Sequence, residues 1–355
     1  MATQVIIGLN EQPVEHQLGK PFAVRTDETG NIYIADRASL QIKVFDKNGK
    51  YLHYIGGRGR GPAEFYDFHF MDKTANGNFI FLDRGNLRFS EITKEGEGVT
   101  TTPYVFEEQY YPASVKYIDN RNVGLFLSGD PPSYSPMYPR ELFHIYSNDF
   151  QNKIDTFFQY KDIGDENTYS WLQFMRYPGS FSMMENGSQI IYSPSIYNGS
   201  MYLFHKQSDT WQLEKIVKGV EPYSDPYVVY SQEEYEKHQD LPGALSHFYG
   251  EDYPHSGRVL SFDAGIYQLN DERFVQFRAE WRNTDVKSDS INLLDLSVQI
   301  FNKEWKLEDQ SYLFSFERSS QPFLTLVNWK DEQDNFYLLE LSDTLPTVRK
   351  FSLGL

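Results

Sequence analysis

The sequence predicts an all-β chain, in which six four-stranded antiparallel blades form a six-bladed propeller and the N-terminal strand completes the last blade. Three observations predict it. Aromatic residues make up 16 % of the 355 residues, with Phe 27, Tyr 26 and Trp 5, a bias toward strands and toward exposed rings. Two early segments align without a gap at an offset of 47 residues. A turn followed by an apolar strand then recurs near residues 30, 77, 120, 187, 271 and 334.

The elements follow in order. Residues 4–7 read as an apolar strand with no partner before it, and the sixth unit supplies three strands, so the two ends are expected to pair and hide the sheet edges. The first blade, about 19–56, has strands at 24–27, 32–35, 42–45 and 51–55; its second turn, Asp46-Lys47-Asn48-Gly49, is of the Asn-Gly type that joins antiparallel strands. The second blade, about 65–106, repeats the first. Gly30-Asn31-Ile32-Tyr33-Ile34-Ala35-Asp36-Arg37 lies over Gly77-Asn78-Phe79-Ile80-Phe81-Leu82-Asp83-Arg84, and seven of twenty aligned positions are identical through Leu40/Leu87, Lys47/Lys94 and Gly49/Gly96. Weaker copies place the remaining blades near 112–159, 177–218, 258–315 and 322–353 plus 3–8. The insertion at 219–257 contains Ser231 followed at the third position by Glu234, a capping box that predicts a short helix over 231–241, ended by Leu241-Pro242-Gly243.

The stretches 19–24, 30–36 and 42–49 look like an NHL-type repeat. Together with Ile55-Gly56-Gly57-Arg58-Gly59-Arg60-Gly61-Pro62-Ala63-Glu64-Phe65 they resemble the six-bladed β-propeller proteins of Bacteroidetes and related bacteria, specifically over residues 19–100 and by strand rhythm beyond. The resemblance implies a six-bladed ring that is often exported and often tethered as a lipoprotein after signal removal. Enzymatic propellers of related shape, the peptide-amidating lyases and calcium-dependent lactonases, hold metal on His or Asp/Asn/Glu ligands around the channel. None of those ligand patterns matches here residue by residue.

Composition narrows the function. Lys+Arg 33 against Asp+Glu 50 gives a net charge of −17, which argues against nucleic acid and anionic lipid as partners of the whole molecule. The absence of cysteine excludes disulfides, thiolate zinc sites and a cysteine nucleophile. No run approaches the roughly 18 apolar residues of a membrane helix, and residues 1–10 lack the basic-then-apolar signal pattern, so any lipid anchor would belong to a longer precursor. The eight histidines include no His-x-His or His-Glu-x-x-His, the glycine-rich run at 56–61 lacks a Gly-Lys-Ser/Thr ending and a following helix, and no Gly-x-Ser-x-Gly elbow occurs. No cofactor is expected, a divalent metal at the channel mouth being the alternative.

Sorting the loops by propeller topology puts the long ones, 56–64, 128–141, 160–179, 219–258 and 279–290, on one face. The candidate binding residues on that face are Arg37 and Arg84 at equivalent loop roots, Arg58 and Arg60 in the glycine-rich crossing, Tyr134, Trp171, Tyr177, Tyr197 and Trp281 as stacking rings, and Arg282. For Arg37 and Arg84 the structural reading stands beside the functional one: the preceding Asp holds loop N–H groups and the Arg braces the next blade. The expected function is a non-catalytic binding protein of the bacterial envelope, periplasmic or at the cell surface, that engages a peptide, glycan or partner protein. The alternative is a metal- or carboxylate-dependent hydrolase or lyase with its site at the channel mouth.

Overall fold

In the computed structural model the described residues are 2–8, 13–103, 111–118, 122–128, 141–159, 162–163, 178–184, 187–208, 210–241, 243–248, 254–282, 293–317, 326–341 and 345–355. They form six four-stranded antiparallel blades in a ring. Blade 1 comprises Pro21–Thr26, Ile32–Asp36, Gln41–Phe45 and Tyr51–Ile55; blade 2 comprises Phe68–Lys73, Phe79–Asp83, Arg88–Ile92 and Gly98–Pro103. Blades 3 and 4 begin with Tyr111–Tyr117 and Gly179–Met183 and end with Lys153–Gln159 and Thr210–Lys218. Blade 5 runs from Ser261–Gln268 through Phe274–Trp281 and Leu293–Phe301 to Leu307–Glu317. Blade 6 is Val327–Lys330, Asn335–Glu340 and Thr347–Ser352, and its outer strand is Ala2–Ile7.

The sequence pattern explains the layering. The first strand of each blade is innermost, and the first strands pack side by side from blade 1 to 2, 2 to 3, 4 to 5, 5 to 6 and 6 to 1. Second strands are covered on both faces by neighbouring blades, so they read as unbroken apolar runs: Ile32–Asp36 and Phe79–Asp83 are buried throughout. Outer strands meet solvent, and Gly98–Pro103 is almost wholly exposed. Aromatic rings fill the spaces between blades, as where Phe65 packs on Phe68 and Phe81 or Phe277 on Phe336. The largest core cluster runs without a break through blades 3, 4, 5 and 6.

The 47-residue repeat is visible in the backbone. Gly30 and Gly77 take positive φ at the first turn, and Leu40 and Leu87, both non-glycine, take φ 55° and 50° at the second-to-third strand turn. Gly49 serves closure as well as its turn. Its φ is +84°, and a Cβ there would stand 1.7 Å from the carbonyl oxygen of Ile6, so the turn of blade 1 seats the closing strand only without a side chain.

The insertion between blades 4 and 5 holds the expected helix, Gln232–His238, with Ser231 and Glu234 forming a reciprocal capping box. It also forms a three-stranded sheet, Tyr227–Tyr230, Pro254–Val259 and Ala244–Phe248, paired in that spatial order. The sequence reading had no signal for this sheet because its strands lack the alternation of a half-buried strand.

Candidate functional site

Asp36 and Asp83 end the second strands of blades 1 and 2, and both carboxylates are buried. Asp36 accepts the backbone N–H groups of Gly19, Lys20 and Ala38, and Asp83 accepts those of Tyr66, Asp67 and Asn86. These bonds hold the loop roots, and the next residue of each loop, Arg37 or Arg84, is thereby directed inward. The two arginines converge on His69, the second residue of the innermost strand of blade 2. Arg37 Nη2 lies 3.5 Å from His69 Nδ1, Arg84 Nη1 lies 3.2 Å from Nε2, and Asp67 Oδ2 lies 3.0 Å from Nε2. Arg37 also donates from Nε to the carbonyl of Phe68 at 3.1 Å and lies over the ring of Phe22. The brace and the inward-facing cation are therefore one side chain.

Burial, with Arg37 and Arg84 adding to it and Asp67 opposing, pushes His69 down to about 4, so its ring is neutral at pH 7. Nε2–H donating to Asp67 while Nδ1 accepts from Arg37 satisfies these two partners, with Arg84 Nη1 beside Nε2. The group therefore holds two guanidinium forks and the Asp67 carboxylate around one neutral imidazole.

Deeper along the axis, four blades meet. Arg25, Asp72, Lys116 and Trp329 are each second from the end of their innermost strand, opposite Tyr33, Ile80, Gly124 and Tyr337. Asp72 receives Arg25 Nε at 3.0 Å and Lys116 Nζ at 2.8 Å. Burial would raise its carboxyl, but Lys116 and Arg25 hold it below the usual carboxylate range. Arg25 and Lys116 both lie over the Trp329 ring, at 4.7 and 5.9 Å from its centroid, and Trp329 Nε1 donates to Thr26 Oγ1. Blade 3 thus reaches blade 6 across the axis.

Blade 5 carries a third polar layer, facing blade 4. Gln276 Nε2 donates to Asp263 Oδ1 at 3.1 Å, and Gln299 Nε2 donates to Gln276 Oε1 and to the Tyr197 hydroxyl. Burial raises Asp263 to about 6, with Ser180, Gln276 and Ser193 pulling the other way. Two residues beyond Gln276, Arg278 donates to the carbonyls of Val220 and Glu221, and Glu280 accepts Tyr223 N. Burial raises Glu280 also.

The nominated residues divide accordingly. Arg37 and Arg84 are brought together. Arg58 and Arg60 are exposed on the crossing loop, Arg58 over the Tyr66 ring, and the loop itself is held by Arg88, which donates to the carbonyls of Arg60, Gly61 and Glu64. Of the four glycines between 56 and 61, only Gly56 takes positive φ; Gly59 leaves room for the Glu64 carboxylate, which a Cβ would meet at 2.1 Å. Tyr197 and Trp281 are nominated as exposed loop rings, but both are buried: Tyr197 lies between blades 4 and 5 against Gln299, and Trp281 ends the second strand of blade 5 and packs on Phe262 of the same blade. Arg282 is held by Asp295, Tyr312 and Ser315 within blade 5. Tyr134, Trp171 and Tyr177 lie outside the described residues. Sequence reasoning missed His69 and the axial group, although the 47-residue offset aligns Phe22 with His69 and Arg25 with Asp72.

Among the described residues no three His, Asp or Glu side chains are grouped to hold a metal ion, and no helix is long and apolar enough to cross a membrane.

These features define a six-bladed β-propeller with a basic pair at one channel mouth. The sequence profile of a family described as a 6-bladed beta-propeller, DUF5128, matches residues 15–98, which hold blade 1 and most of blade 2. No curated protein matches the chain in sequence. In three dimensions it is similar to a member of the DUF4221 family from Bacteroides vulgatus, at 12 % identity over 98 % of this chain and 97 % of that one, with a TM-score of 0.61. It is also similar to a Bacteroides fragilis protein named as exported, at 10 % identity over 98 % and 94 % of the two chains, with a TM-score of 0.53. At such identities the likeness is one of fold.

Proposed function

We propose that this propeller is a non-catalytic binding protein of the bacterial cell envelope that engages an acidic group of a peptide, glycan or partner protein on its long-loop face. The observation that carries the reading is the convergence of Arg37 and Arg84 on a neutral His69 at the innermost strand of blade 2. The resemblance of residues 19–49 to an NHL-type repeat and the likeness to a protein named as exported support an envelope location, by analogy of fold.

Titration with digalacturonate and with triglutamate, followed by calorimetry, tests this. Replacing both arginines by alanine is expected to weaken binding of at least one probe about tenfold or more, because hydrogen bonds to a charged group contribute about 1.5–3 kcal/mol each. Arg84→Lys keeps the charge but loses the fork, and is expected to fall between. Wild-type protein that binds neither acidic probe, or a double variant that binds as well as wild type, would refute the reading.

A carboxylate-dependent hydrolase or lyase is the second reading, favoured by the raised Asp263 and Glu280 in blade 5. Turnover of chromogenic ester or glycoside substrates that Asp263→Asn abolishes would decide for it, and elemental analysis of chelator-free protein tests its metal-dependent form.

A further inference from the structure

Beside the first turn of blade 2 and the third-to-fourth strand turn of blade 3, the two blades part to leave a cleft of about 550 Å3. One wall is the first turn and outer strands of blade 2, with Thr74, Glu91, Thr100 and Thr102; the other is blade 3, with Tyr117 and the turn bearing Asp149. The floor is aromatic: Phe89 and Phe150 line it and stack with centroids 4.1 Å apart. The volume lies in the range of small-molecule sites.

The lining decides the chemistry. It contains two carboxylates and no lysine or arginine, so an anion is repelled. Both carboxylates are already served by the protein. Glu91 Oε1 receives Asn78 Nδ2 at 2.7 Å and Thr74 Oγ1 at 3.4 Å, and Asp149 Oδ1 receives Ser147 Oγ and Gln151 N. The demand for a cation is correspondingly small. Burial, with Glu91 adding to it, pushes the Tyr117 phenol up to about 12, so it remains an O–H at neutral pH. An ammonium ligand donates only, so it could accept nothing from the hydroxyls of Thr100, Thr102 and Tyr117. A polyol gives and takes at every hydroxyl, and its C–H groups suit the apolar base that the largely buried Phe89 and Phe150 form.

We propose that the cleft between blades 2 and 3 binds a neutral mono- or disaccharide, at a site separate from the basic mouth. The intact chain is titrated by saturation-transfer NMR and calorimetry with N-acetylglucosamine, cellobiose and maltose, and with cadaverine and glucuronic acid as charged comparators. Saturable binding of at least one neutral sugar is expected, weakened about tenfold by Glu91→Gln and by Tyr117→Phe. Thr102→Val, on the outer strand, is the control against misfolding: it removes a cleft hydroxyl without touching the core and is expected to weaken the same sugar. Absence of binding by all three neutral sugars, binding that survives Glu91→Gln and Thr102→Val, or preference for cadaverine or glucuronic acid over every neutral sugar overturns the proposal.

Discussion

His69 and Asp263 titrate in the same pH range with opposite signs. The folded state holds His69 near 4 against an ordinary value of 6.5, so its contribution to stability is complete above pH 6.5 and is lost as pH falls through 4. Asp263 is raised to about 6 from 3.8, so its contribution is complete below pH 3.8 and is lost as pH rises through 6. Between pH 7 and about pH 4.5 each amounts to on the order of 2 kcal/mol, and the two oppose. His69→Gln is therefore expected to gain stability relative to wild type on acidification, and Asp263→Asn to lose it, read from urea midpoints at the two pH values. Parallel midpoints for all three proteins would show that neither group is perturbed. At the axis, Asp72→Asn leaves Arg25 and Lys116 facing one another without a counter-charge; a loss of about 3 kcal/mol is expected by urea unfolding, softened from the fully buried case by the partial exposure of Lys116.

The closing strand is the element on which the ring depends. Ala2–Ile7 pairs with Thr347–Ser352 from Ala2 opposite Ser352 to Ile7 opposite Val348, with one irregularity after Val5. Removing residues 1–8 bares the edge of Thr347–Ser352, and increased aggregation together with a lower melting temperature is the expected outcome, measured by light scattering during a thermal ramp. Gly49→Ala attacks the same junction from blade 1. Positive φ and the Ile6 carbonyl both oppose a methyl group there, and about 2 kcal/mol or more of stability should be lost. A melting temperature unchanged from wild type would mean that the strand does not sit against that turn. At this scale the sequence was readable. The Asn-Gly turns, the apolar runs and the capping box are local patterns, each decided by a few adjacent residues, and the structure carries them at those positions. The three-stranded sheet of the insertion was not readable, because strands such as Ala244–Phe248 are decided by the partner they pair with.

The whole molecule is held by neighbours in a circle. The largest apolar cluster crosses four blades, and the first and last strands share one sheet, so local opening of one blade uncovers the next. Urea unfolding is expected to follow a single transition, with the fluorescence of Trp211, Trp281, Trp305 and Trp329, spread over blades 4, 5 and 6, coinciding with far-ultraviolet circular dichroism. Separate midpoints would mean that the blades unfold as independent units.

From the sequence by itself came the six blades, the closure by the N-terminal strand, the short helix and the equivalence of Arg37 with Arg84. Each of these rests on spacing along the chain, and turn chemistry and strand period are set by spacing. Only the tertiary structure decided that these two arginines flank one histidine, that Arg25, Asp72, Lys116 and Trp329 meet across the axis, and that Tyr197 and Trp281 face inward. The physical reason is that a propeller joins residues of different blades at its centre and along blade interfaces, where partners such as Val24 and Asn328 stand 304 positions apart in the chain yet 2.7 Å apart in space.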